Sequence, residues 1–92
     1  MIQSFNCKDT KSLFEGKRVN RYVNFAVIAE RKLQMLDAAA ELSDLRSPPG
    51  NRLEALAHDR QGQHSIRVNQ QWRICFNWTE HGPVNVEIVD YH

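Results

Sequence analysis

Ninety-two residues, 41% of them hydrophobic and 25% charged, are enough for one modest core and exclude a disordered chain. Twelve Lys and Arg stand against eleven Asp and Glu, a net charge of +1, so total charge gives no case for nucleic-acid binding. Any such case rests on local arrangement.

In chain order, "MIQSF" is short, with Ile2 and Phe5 apolar, and suits an opening edge strand. "DTKSLFEG" predicts one or two helical turns, with Asp9 or Thr10 as the cap and Gly16 as the stop. From Tyr22 to about Ala40 the apolar residues recur at helical spacing: Phe25, Ile28, Ala29, Leu33, Leu36, Ala39 and Ala40. "RSPPGN" ends that helix, because Pro48 and Pro49 cannot continue it.

After the prolines the period falls to two. Ile66 and Val68 alternate with Ser65, Arg67 and Asn69. Trp72, Ile74, Phe76 and Trp78 alternate with Arg73, Cys75 and Asn77; Val84, Val86 and Ile88 alternate with Asn85 and Glu87. "RLEALA" (52–57) follows the pattern less cleanly, and "DRQG", "NQQ" and "EHGP" supply the turns. The expected fold is α+β, a single domain over 1–92. It has a four- to five-stranded antiparallel sheet, with the direction of an edge strand left open. Two N-terminal helices cover one face, and the other is expected to face solvent.

Parity places side chains on that second face. If Ile66 and Val68 share a face with Trp72 and Ile74, a three-residue loop sets Val68 opposite Trp72 and Arg67 opposite Arg73. Like charges so placed cost stability unless they splay into water. They also make a fork for phosphate, since guanidinium groups match its oxygens in pairs. In the last strand Asn85, Glu87, Val89 and Tyr91 share the solvent face, while Asp90 points inward at the rim and His92 follows.

Cys7 and Cys75 are too few for a disulfide framework and read as reduced thiols of a cytoplasmic protein. His58, His64, His81 and His92 show no metal-ligand spacing, so neither a metal nor a cofactor is expected. "MIQSFNCKDTK" has no apolar stretch of signal-peptide length, and no later segment has the length and apolarity of a membrane span, so no membrane contact is expected.

"NRLEALAHDRQGQHSIRVNQQWRICFNW", closed by "VEIVDYH", resembles the HigB branch of RelE/ParE-type bacterial toxins. The likeness covers essentially the whole chain, and "HSIRVNQQWRICF" with a terminal "DYH" is its most specific part. The resemblance implies a small antiparallel sheet with two N-terminal helices. It also implies the toxin of a type II toxin–antitoxin pair that cuts mRNA in the ribosomal A site. The implied partners are a HigA-type helix-turn-helix antitoxin, the ribosome and mRNA; operator DNA would be met only through the antitoxin.

Asp90, Tyr91 and His92 match the family's active-site residues, and histidine suits proton transfer near neutral pH. His92 is expected as general base or acid, Tyr91 as a stacking or orienting group, and Asp90 as the group that holds the imidazole or accepts the proton. Arg67 and Arg73 are expected to neutralise the phosphorane, with His58 and His64 as further RNA-binding candidates. One departure stands out: several relatives carry a lysine two residues before the Asp-Arg of the turn, where this chain has Ala57. Two other functions share the fold, gyrase inhibition by binding and corepression with the antitoxin, and neither needs a titrating terminal group.

Overall fold

The change of period from 3.6 to 2 divides the molecule as expected, with helices first and sheet second. The computed structural model describes residues 1–90, so the expectations for Tyr91 and His92 lie outside the described residues. Helix α1 spans Lys8–Phe14. It stops where Gly16 turns to φ 88°, letting the N–H groups of Gly16 and Lys17 donate to the carbonyls of Leu13 and Ser12.

Neither Asp9 nor Thr10 caps this helix. The chain enters it from extended Cys7 with no side-chain cap bond. Thr10 is fully buried inside the helix, where its hydroxyl oxygen accepts the Ile88 N–H at 3.0 Å and lies 3.3 Å from the Tyr22 hydroxyl. A residue that sequence assigns to a helix end thus ties the helix to the sheet.

Helix α2, Ala26–Ala38, begins later than periodicity suggests, because Asn20–Phe25 forms a 3-10 turn. That turn carries Tyr22 and Phe25 into the core, and α2 adds Ala29, Leu33 and Leu36. Ile28, expected on the same stripe, remains 45% exposed.

The sheet runs β1 (Glu54–Ala55), β2 (His64–Arg67), β3 (Trp72–Thr79) and β4 (Gly82–Asp90), each antiparallel to its neighbour. "RLEALA" yields only the two residues of β1. The opening segment lies along the far side of β4 and runs parallel to it. Phe5 bridges Val86, and the Gln3 and Asn6 N–H groups donate to the carbonyls of Pro83 and Val86. The sheet is therefore mixed at that edge. Gly82 permits the approach, since a Cβ there would run into the Met1 carbonyl.

The parity argument holds through the β2–β3 hairpin: Ile66 faces Ile74, Arg67 faces Arg73, and the Val68 N–H donates to Trp72. It fails once, in β4. Register passes from Cys75 opposite Glu87 to Asn77 opposite Val84, giving β4 one extra residue at Asn85, which takes φ 56°. Such a bulge reverses the faces beyond it. Val84, expected in the core, shares the face of Asn77, and buried Pro83 takes the core side opposite Trp78.

Tyr22 is the hub between helices and sheet. Its ring is fully buried, edge-on to Trp72 at 6.0 Å, and its hydroxyl lies 3.7 Å from the Cys7 thiol as well as beside Thr10. Burial pushes its phenol up to about 12 from 10.0. A pKa raised on folding means stability that is complete below the unfolded value and lost as pH climbs through the folded one. Unfolding curves are expected to show a loss between pH 10 and 12 that Tyr22→Phe removes. At neutral pH the same variant is expected to be less stable by about 1 kcal/mol, the usual worth of a hydrogen bond.

Candidate active site

Arg67 and Arg73 lie opposite each other on the face turned away from α1 and α2, as the hairpin requires. They do not splay into water. Arg73 is only 7% exposed: its Nε donates to Ser65 Oγ at 2.7 Å and its Nη2 to the Arg52 carbonyl at 2.6 Å. Its Nη1 is 3.9 Å from a Glu54 carboxylate oxygen. Arg67 Nε donates to the Asn69 carbonyl at 3.1 Å. Carbonyl dipoles and a carboxylate thus offset the like-charge contact, and the pair is held rather than repelled.

Around them is a small cleft of about 210 Å³ lined by Arg52, Glu54, Arg67, Asn69, Gln70 and Arg73. Three arginines and one carboxylate line it, a composition that favours an anion. A fixed guanidinium suits charge that develops during a reaction, because it need not reorganise.

The rest of this face is not open, contrary to expectation. The Leu56 N–H donates to the Gln63 carbonyl as the next rung of the β1–β2 ladder, and the connection beyond it lies over this face, its Gly62 carbonyl accepting from Asn77 Nδ2. Arg60 reaches across to Glu87 at 2.8 Å and also holds Gln63 at 3.0 Å. Cys75 is wholly buried on this face, and burial pushes its thiol up. Arg60→Ala is expected to expose Cys75, so that a thiol-specific reagent labels it several-fold faster than in the parent chain. Unchanged labelling would show that the Arg60–Glu87 pair does not seal this face.

The histidine candidates scatter. His58 is exposed in the 3-10 turn His58–Arg60, with φ 56° and Ala57 beside it. His64 lies on the other side of the sheet from the arginines, its ring stacked on Phe76 with centroids 6.4 Å apart. Its sequence parity with Ile66 already carried that signal. Asp90 ends β4 opposite Trp72, at the rim, and accepts a hydrogen bond from Gln71 Nε2 at 3.0 Å. Arg73 pairs with Val89, one residue away, so the carboxylate and the cationic cleft belong to the same end of the β3–β4 ladder. Sequence reading missed Arg52, Glu54 and Arg60, each of which meets a partner distant in the chain, Arg73 for the first two and Glu87 for the third.

Residues 3–92 match the family described as RelE-like toxin of type II toxin-antitoxin system HigB. The chain belongs to the HigB toxin family. It is 40% identical over 82 residues to Toxin HigB-1 of Vibrio cholerae serotype O1, covering 87% of this chain and 86% of that protein. It is 35% identical over 94 residues to Endoribonuclease HigB of Proteus vulgaris, covering all of both. The two helices and antiparallel sheet agree with a RelE-like fold. A type II toxin is one half of a pair, so an antitoxin is the partner that this membership brings.

Proposed function

We propose that this HigB-family toxin is a metal-independent endoribonuclease that cuts mRNA in the ribosomal A site and so arrests translation and growth. The observation that carries the reading is the preorganised arginine cleft at the end of the ladder that closes on Asp90. Full-length similarity to a relative named as an endoribonuclease supports it. Arg73 and Arg67 hold the scissile phosphate and its developing charge. Tyr91 stacks on or orients the nucleotide, stacking being the usual hold on unpaired RNA. His92 exchanges protons with the 2′-hydroxyl or the leaving oxygen, assisted by Asp90. His58, next to Ala57, contributes a cationic or polar contact where several relatives have lysine. The proposed partners are a HigA-type helix-turn-helix antitoxin, the ribosome and mRNA, in the cytoplasm; operator DNA is met only through the antitoxin.

The near-neutral total charge conceals a segregation. Residues 1–38 carry seven Lys and Arg against four Asp and Glu, while residues 39–92 carry five against seven. The sheet half is thus short of cations for gripping free RNA, whose affinity rests on the number of phosphates neutralised. A ribosome that presents the message supplies the missing binding energy and the orientation.

Purified toxin is expected to cleave a message threaded through translating ribosomes and to leave the same RNA intact when naked. Equal cutting of both would contradict ribosome dependence. In cells, mapped 5′ ends are expected inside translated regions; intact mRNA with damaged or relaxed chromosomal DNA would favour gyrase inhibition.

A further inference from the structure

Beside the arginine cleft, around the β1 edge, lies a larger cleft of about 590 Å³. Its walls mix Leu42, Pro49 and Leu53 with Arg46, Arg52 and His64. Arg52 lines both clefts, so the two adjoin at this residue. Among the described residues neither Arg46 nor Arg52 has a carboxylate partner for its side chain. The His64 ring stacks beside Phe76 and lines the cleft, and among the described residues its enclosed Nδ1 has no hydrogen-bond partner, which leaves Nε2 as the nitrogen to offer a ligand.

The three kinds of group match the base and the phosphate of one nucleotide. Apolar walls take the faces of a base, a reachable imidazole nitrogen takes a donor or acceptor on its edge, and unpaired guanidiniums take the phosphate. The size lies within the range of small-ligand pockets. We propose that this cleft is a second nucleotide subsite, which seats an unpaired nucleotide of the message a short distance from the cut and contributes to the choice of cleavage sequence. The message runs from the Arg67–Arg73 cleft past Arg52 into it. The inference rests on the ribosome-bound mRNA reading given above.

The test uses the full chain on ribosomes carrying a message with a 2′-deoxynucleotide at the cut, which keeps the RNA whole. 4-Thiouridine is placed singly at each flanking position. Cross-links from one or two flanking positions to residues 42–55 are expected. In parallel, Arg46→Ser at an exposed site and His64→Phe, which keeps the stack on Phe76, are assayed on unmodified message after circular dichroism has shown that they fold. Cleavage is expected to slow several-fold in the first, and the preference for the flanking nucleotide to flatten in the second. Wild-type cutting with no cross-link to this cleft, and with both folded variants matching wild type in rate and preference, would overturn the subsite alone. Failure of the wild type to cut ribosome-bound message would overturn both the subsite and the reading beneath it.

Discussion

Replacing Arg73 with alanine is expected to cost the chain both its stability and its activity. Opposed arginines alone would suggest relief on removing one, with stability unchanged or slightly raised. The structure reverses that sign. Arg73 is buried, and its removal leaves the Ser65 hydroxyl, itself fully buried, and the Arg52 carbonyl without their charged donor. Hydrogen bonds to charged groups and the exposure of unmatched buried partners together put the loss at about 2–4 kcal/mol. In a domain of this size that lowers Tm by roughly 10 °C or more. Arg52 meets Arg73 through its carbonyl and lines the same cleft, so the loss also loosens that cleft. Arg73→Lys restores a charge but not the fork that reaches Ser65 and Arg52 together, and is expected to fall between the two. Thermal unfolding of the three chains decides it: an alanine variant as stable as the parent would make Arg73 a solvated surface cation after all.

What was legible in the sequence was whatever depends on period and loop length. The Arg67–Arg73 pairing follows from a three-residue loop and a two-residue repeat, both local, and it stands. The helical stripe of Ala29, Leu33 and Leu36 stands for the same reason. Three features escaped because long-range contacts decide them. Thr10 reads as a cap until Ile88, 78 residues away, takes its hydroxyl as an acceptor. Val84 reads as core until the bulge at Asn85 shifts the register. The second sheet face reads as open until Arg60 reaches Glu87 across 27 residues and seals it over Cys75. The candidate site divided along the same line. Loop length and parity set Arg67 opposite Arg73, while parity sends Asp90, opposite Trp72 at the end of the same ladder, to the other face. Parity likewise puts His64 with Ile66, away from the arginines, whereas His58 stands in an exposed turn beside Ala57, where no sheet parity applies.

Deleting His92 is expected to abolish cutting while leaving the fold standing. The core that the described residues form is closed, in chain order, by Val86 and Ile88, and Thr10 anchors the Ile88 backbone to α1. Its integrity therefore rests on residues before the "DYH" ending, and the thermal unfolding midpoint is expected to stay within a degree or two of the parent. Cutting is a different matter. The described end of the site offers guanidiniums from Arg67 and Arg73 and a carboxylate from Asp90. Guanidinium groups stay protonated across the physiological range and cannot trade a proton. An imidazole, titrating near pH 6.5 when unperturbed, can both take and return one. A positioned acid–base group contributes roughly 10²- to 10⁴-fold, and a loss of that size on ribosome-bound message is the expected result. His92→Gln separates the roles, since it keeps hydrogen bonding and removes titration. It is expected to cut as poorly as the deletion and to lose the neutral-range pH dependence of the parent chain. A folded deletion variant that still arrests growth and cuts at the parental rate would remove His92 from the chemistry, leaving Asp90 and Tyr91 to carry the proton.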